Sequence, residues 1–500
     1  MPLRYLECSR VFRINKNHFK TNQMSNRRDF LKKAGLAGAG LIGAGSIGCT
    51  GKASTNKPYQ HKHKQVFNMS GYAAPKLDQV RIGIIGLGNR GSGTVTRLAC
   101  IEGVEIRALC DLDQGKVSRA AESIKDIGHL PDRYSGGPDE WKKICERPDI
   151  DLVAIVTPWD SHTRMCVYAM ENDKHAYVEL PAATTIEGCW QLVETSERTR
   201  KHCVQVSTTG HGYAGTNRLE PVVLNMVRKG FFGEIIHAEG SYIHQLLFDY
   251  LFSRTMYPGQ WRLKENLGRN GNLYPQHGFV PILQMLDINY GDRMDYMTSV
   301  SSNDFMMAEV IEKLSADEFW EPYMEKKLRG DINTTIIRTV KGRTIVLQHD
   351  TSSPRPGERF QMISGTRGAF KAPNRIAKTH HGWVSDEELN TLRELYMPEM
   401  AKKFNDHSSL ASRVETGRGG YFRTDPLDWR VIDCLRNGLP MDVDVYEAAA
   451  SSVITPLSEW SVANRSNSVD IPDFTCGAWK TNRQGMDMDL ERGGGTTKLL

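Results

Sequence analysis

Residues 80–111, VRIGIIGLGNRGSGTVTRLACIEGVEIRALCD, constrain the fold more tightly than any other stretch of the chain. An apolar run from Val80 to Ile85 enters the turn Gly86-Leu-Gly88-Asn-Arg-Gly91. A helical stretch follows, and a second apolar run, Val104 to Cys110, closes on Asp111. This is the order of a dinucleotide-binding βαβ unit. Gly86 permits the tight turn, Gly88 lets backbone approach a pyrophosphate, and Gly91 lets the helix pack close to the sheet. The helix N-terminus attracts phosphate charge. Asp111 falls where an acid bonds the adenosine ribose, which favours NAD over NADP. Glycine turns are common in ordinary βαβ units; the two strands and the terminal acid in register make this one specific.

The alternation continues. Strands are predicted at 80–86, 104–110, 152–157, 175–178 and 203–207, with helices near 90–101, 114–126, 161–171 and 185–200. The fold class is α/β: an N-terminal Rossmann domain over 78–206, a doubly wound parallel sheet. Beyond it, strands are predicted at 234–242, 296–301, 332–340 and 343–349, the last two joined in a hairpin at Lys341-Gly342. Residues 207–475 therefore read as a C-terminal α+β domain with a mainly antiparallel open sheet. A helix near 426–452 is expected to return to the first domain, and 476–500 reads as a tail.

The N-terminus carries a second signal. Asn26-Arg27-Arg28-Asp29-Phe30-Leu31-Lys32 is a twin-arginine pattern, followed by a mild apolar stretch from Ala34 to Gly48. Residues 1–48 read as a twin-arginine export signal, which carries proteins already folded around a cofactor. Met24 lies just before the motif, so residues 1–23 read as a possible upstream extension. The apolar stretch is too short and glycine-rich for a good membrane span. Ser46-Ile47-Gly48-Cys49 resembles a lipobox, leaving two fates open: acylation of Cys49 with anchoring to the membrane, or simple cleavage or retention in a periplasmic protein. Residues 49–77, with His61-Lys-His63-Lys, read as a flexible tether rather than a metal site.

The leader also carries the basicity. Residues 1–48 hold nine Lys/Arg against two Asp/Glu, a net +7 in a chain of net +5, leaving −2 for the rest. No basic field remains for nucleic acid. The ten cysteines show no paired or metal-ligand spacing, so neither a disulfide framework nor a metal site is expected.

The third strand ends in Thr157-Pro-Trp159-Asp-Ser-His162 and the fourth in Glu179-Leu180-Pro181, both at carboxyl ends where open α/β sheets bind ligands. Here the chain resembles the Gfo/Idh/MocA oxidoreductase superfamily. Most dehydrogenases of that superfamily have Glu-Lys-Pro at the fourth strand, and this chain has Leu180 for the lysine. The run Glu179 to Cys203, Gly271-Asn-Leu-Tyr274-Pro-Gln-His277-Gly, Asn289-Tyr-Gly-Asp-Arg293 and Ser458-Glu-Trp-Ser-Val-Ala-Asn-Arg resemble glycoside hydrolase family 109, across roughly 78–475.

The resemblance implies an NAD-dependent α-N-acetylgalactosaminidase-like enzyme that oxidises carbon 3 of a sugar transiently, eliminates the aglycone, adds water and reduces the product. No pair of glycosidase carboxylates is needed for this. Implied cofactor contacts are Gly86, Gly88, Asn89, Arg90, Gly91, Asp111, Trp159, His162, Glu179 and Leu180. Implied substrate contacts are Arg262, Tyr274 and His277, with His277 moving the carbon 3 proton. The partner is a small glycoside or glycan, and the protein is expected to form a homo-oligomer.

Three departures surround the sugar pocket. The family's carbon 2 tyrosine aligns with Thr216, so Tyr213, with His211 second, is expected to act there. The family's Arg-Pro-Tyr contact is Arg355-Pro356-Gly357 here, without the aromatic ring, and Arg418-Gly-Gly replaces His-Gly-Gly. A sugar or polyol dehydrogenase, or a surface glycan-binding lipoprotein that lost its chemistry, remain as other readings.

Overall fold

The computed structural model describes residues 58–206, 219–324, 327–378, 382–403, 414–415, 421–422 and 426–493. The leader, Cys49, His211, Tyr213, Thr216 and Arg418 lie outside these residues.

Six parallel strands form the first sheet: β1 (Val80–Ile85), β2 (Val104–Cys110), β3 (Asp132–Tyr134), β4 (Leu152–Ile155), β5 (His175–Glu179) and β6 (Cys203–Val206), in the order β3-β2-β1-β4-β5-β6. The order reverses between β1 and β4, and it is at the carboxyl ends of such a switch point that open α/β sheets bind ligands. Leu152, Val153, Ala154 and Ile155 are fully buried, as expected of a strand covered on both faces. The crossover helices are α1 (Gly91–Ala99), α2 (Gln114–Ser123), α3 (Glu140–Cys145), α4 (Trp159–Glu171) and α5 (Ile186–Thr199). The short β3 and α3 have no counterpart among the sequence predictions.

After α6 (Glu220–Arg228), a second sheet is built from β7 (Ile235–Ile243), β8 (Met294–Ser301), β9 (Ile332–Thr339), β10 (Thr344–Asp350), β11 (Gln361–Gly365), β12 (Gly368–Lys371), β13 (Arg375–Lys378) and β14 (Val469–Asp470). Its order is β13-β12-β11-β7-β10-β9-β8-β14, antiparallel throughout except for β7 with β10. The fold is thus the Rossmann α/β domain joined to an α+β domain with an open sheet. Alternate residues of β9 are buried, Asn333, Thr335, Ile337 and Thr339, while Ile336 and Arg338 face solvent. The buried face carries α8 (Gln276–Met285), preceded by the single turn α7 (Trp261–Lys264), with α9 (Phe305–Leu314) and α10 (Asp386–Tyr396) further along the chain. Gly240 and Gly278 allow α8 to lie directly on β7, since a Cβ at Gly278 would come within 2.4 Å of Ser241 N.

Among the described residues three more helices follow: α11 (Pro426–Asn437), α12 (Val445–Ser452) and α13 (Ile454–Ala463). The first two lie on the Rossmann domain, where Arg97 Nε donates to Asp428 Oδ2 at 2.6 Å and Gln205 Nε2 donates to Ser451 Oγ at 3.1 Å. The third packs under β8.

Two expectations are corrected. Residues 58–77 are not a tether. His61 stacks on Trp190 at 4.7 Å, His63 Nε2 pairs with Glu197 at 2.9 Å, and Met69 is buried. Aromatic and carboxylate groups of α5 hold a segment whose polarity looked solvated. Residues 476–493 are likewise not a free tail: Met488 and Leu490 are buried, and Arg430 Nη2 donates to Asp489 O at 2.8 Å.

Candidate active site

The glycine turn leaves β1 with Gly86 at φ +89°, a conformation that favours glycine. A Cβ at Gly91 would lie 1.8 Å from Gly86 O, so α1 starts hard against the turn. At Gly88 a Cβ would meet nothing within 4 Å. The loop is closed where it needs to pack and open where a pyrophosphate would approach, at the N-terminal end of α1. Asp111, just past β2, is oriented by the loop itself: Leu87 N donates to Oδ2 at 2.7 Å and Asp113 N to Oδ1 at 2.9 Å. These residues fit a dinucleotide. Asn89 Nδ2 donates to Met256 O at 2.6 Å, joining the loop to the segment before α7. Arg90 pairs with Glu179 at 3.3 Å, across the ends of β1 and β5.

At the ends of β4 and β5 the chain builds an aromatic wall. Trp159, Leu180, Tyr242 and Tyr274 form one buried cluster, with Trp261 against it. Trp159 stacks on Tyr274 at 5.2 Å and 16°. The Arg262 guanidinium lies 5.3 Å from the Trp159 ring centre, 5.0 Å from Tyr274 and 5.5 Å from Tyr257, and donates to the Tyr257 hydroxyl at 2.9 Å. Aromatic faces on several sides hold this cation by electrostatic attraction to the rings. Leu180 is apolar floor.

His277, at the start of α8, stacks on Tyr242 at 4.9 Å and 19° and meets the Tyr274 ring edge-on at 5.1 Å. Burial, with Arg359, Arg90, Arg262 and His244 adding to it, holds its imidazole well below the ordinary range. It is therefore neutral at pH 7, the form that can accept a proton. Burial pushes the Tyr274 phenol up, so it remains a hydrogen-bond donor.

His162 differs from expectation. It is fully buried, and both ring nitrogens face carbonyls, Pro181 O at 2.8 Å and Thr157 O at 2.7 Å. It ties the end of β4 to the loop after β5. Arg355 is exposed and donates to Gln348 Oε1 at 3.3 Å. Sequence reasoning missed Tyr242, His244, Tyr257 and Arg359. The first two sit at the end of a predicted strand, as the strand-end motifs of the first domain do; nothing in the sequence marked the other two.

A Rossmann sheet whose strand ends share an aromatic, arginine-bearing wall with a second, open-sheet domain defines a class of NAD-binding proteins. The first domain matches the model of the oxidoreductase family NAD-binding Rossmann fold over residues 80–208, and NAD is its cofactor. Among solved structures, the levoglucosan dehydrogenase complex with NADH superposes with TM-score 0.55 at 15% identity, covering 79% of this chain and all of that one. The WlbA dehydrogenase from Bordetella pertussis, in complex with NADH and UDP-GlcNAcA, gives 0.53 at 14%, covering 80% of this chain and all of its own. The second domain is more particular. Residues 217–481 match the glycosyl hydrolase 109 C-terminal domain. Glycosyl hydrolase family 109 proteins from Shewanella pealeana and Shewanella woodyi are 42% and 44% identical, covering 92% of this chain and 98% of theirs. The chain belongs to glycosyl hydrolase family 109, and is an NAD-dependent glycoside hydrolase.

Proposed function

We propose that the protein hydrolyses a terminal α-linked N-acetylgalactosamine or a related glycoside by transient oxidation at carbon 3, elimination, water addition and re-reduction. The observation that carries this reading is the pairing of Leu180 with His277. An aliphatic side chain fills the position where dehydrogenases of this superfamily hold a proton-moving lysine, and a neutral imidazole stands on the same aromatic cluster.

Bound NAD supplies a hydride acceptor that returns the hydride at the end of the cycle. The chain's own residues do the rest. Arg262 and Tyr274 hold the sugar by its hydroxyl and amide groups. His277 removes the carbon 3 hydroxyl proton, without which that carbon cannot become a carbonyl. The carbonyl acidifies the hydrogen on carbon 2, and Tyr213, with His211 as the second choice, removes it. The aglycone then leaves from carbon 1, and water adds to the unsaturated sugar.

A screen of aryl glycosides tests the reading, with aglycone release and NADH absorbance followed in the same cuvette. Many aglycone molecules per cofactor, with no accumulating NADH, are expected. Stoichiometric NADH without aglycone release would establish a sugar or polyol dehydrogenase instead.

A further inference from the structure

The elimination leaves one proton unassigned. His277 serves the carbon 3 hydroxyl and a second base serves carbon 2, but an alkoxide leaving carbon 1 also needs a proton. His244 is placed to give it. It follows directly on β7, where its backbone N donates to Asp350 O at 2.9 Å. Its Nδ1 is bonded to the Tyr242 hydroxyl at 2.9 Å, and no described residue bonds its Nε2. Its ring is half-buried, with the Tyr250 edge at 6.0 Å. One nitrogen fixed by a buried phenol and the other bonded by no described residue is the arrangement of an oriented proton-transfer group.

The same Tyr242 carries His277 on its ring face. The two histidines thus stand at the face and the hydroxyl end of one aromatic ring, with ring centres 4.9 Å and 5.7 Å from that of Tyr242. Arg359 lies 6.0 Å from the Tyr242 ring centre. Burial, then Arg359 and Arg262, holds the His244 imidazole below its ordinary value, so it works from the neutral form.

Resting on the function proposed above, we propose that His244 donates the proton to the departing aglycone oxygen, with Tyr242 as its positioning residue and proton reserve. The C1–O bond breaks as the Nε2 proton passes to the aglycone oxygen, and the Tyr242 hydroxyl proton passes to Nδ1. The charge of the tyrosinate left behind is offset by the Arg359 guanidinium, which lies over the Tyr242 ring. When water adds to carbon 1, its proton goes to Nε2 and the Nδ1 proton returns to Tyr242, restoring both groups. No oxidant or reductant enters these transfers.

Leaving-group dependence separates this role from a structural one. Methyl and 2,4-dinitrophenyl α-N-acetylgalactosaminides are compared in full-length wild type, His244→Gln and Tyr242→Phe, with NAD binding and Tm measured on each. Dinitrophenolate needs no proton to leave. His244→Gln should cleave the methyl glycoside about 10²–10⁴-fold more slowly, with a far smaller loss on the dinitrophenyl glycoside and with deuterium exchange at carbon 2 persisting. Tyr242→Phe keeps the ring and should show the same asymmetry, so it carries the test if His244→Gln does not fold. Equal losses on both glycosides, or full activity on the methyl glycoside, would overturn the assignment while leaving the glycosidase reading intact. A wild type that releases neither aglycone would bring down both.

Discussion

Gly88 and Gly91 stand three residues apart in one turn and are required for different reasons. At Gly91 any side chain collides with the Gly86 carbonyl. Gly91→Ala should therefore lower Tm even in apoprotein, through forced backbone movement. At Gly88 there is room for a side chain until a dinucleotide arrives. Gly88→Val should melt like wild type and lose NAD binding. Calorimetry and cofactor titration on the pair check this, and equal melting losses in both would contradict it. For His277, the depressed basicity of the buried ring sets the sign of a pH effect. Activity should persist as pH falls through the ordinary histidine range, about 6.5, and decline only below it. His277→Ala should lose both transient NADH and deuterium exchange at carbon 2.

Among elements, β5 and β6 carry an acid-sensitive pair. His175 opens β5, His202 immediately precedes β6, and their rings stack at 5.2 Å. Burial lowers His175 to about 3, and lowers His202 well below its ordinary value, with the neighbouring His175 and Lys201 adding to it. Both bind fewer protons folded than unfolded. Their contribution is therefore fully present above the unfolded value of about 6.5 and is lost progressively as pH falls below it. The Tm should drop between neutral pH and pH 4. His202→Phe keeps a ring in the stack without the proton site, so it should flatten that drop. An unchanged slope would remove this pair as its source. The strap at 58–77 is an element too, fixed to α5 through Glu197, which also accepts from Val66 N at 3.0 Å and from the Tyr446 hydroxyl at 2.9 Å.

At the scale of the molecule, the open face of the second sheet exposes Tyr296 and Val300 on β8 and Ile336 on β9, the last opposite Thr298 and so diagonal to both. Apolar surface gathered on one face marks an association site. We propose that the protein is a homo-oligomer through this face: sedimentation should give a multiple of the 56.3 kDa chain, or of its processed form, and Ile336→Glu should shift it to the monomer. A monomeric wild type would refute this. Export by the twin-arginine route to the periplasm, with Cys49 acylated, is likewise a proposal. Arg27→Lys with Arg28→Lys should leave precursor in the cytoplasm, and Cys49→Ser should abolish labelling by fatty acid. Normal export of the double variant would contradict the first.

The sequence by itself determined the Rossmann domain, because each of its parts is local. A glycine turn, an apolar strand and a terminal acid each declare themselves within a few residues, and parallel strands buried on both faces read as plain apolar runs. Resemblance carried Arg262, Tyr274 and His277 by short motifs. The tertiary structure decided what depends on residues far apart in the chain. It brought Trp159, Leu180, Tyr242 and Tyr274 into one wall from two domains. It showed His162 spent on two carbonyls, which no spacing reveals. It paired β7 with β10 in parallel, and added β11 to β13 from a stretch with weak alternation. It turned the polar segment at 58–77 into a packed strap, since polarity records a residue's cost of burial and not the partners that offset it.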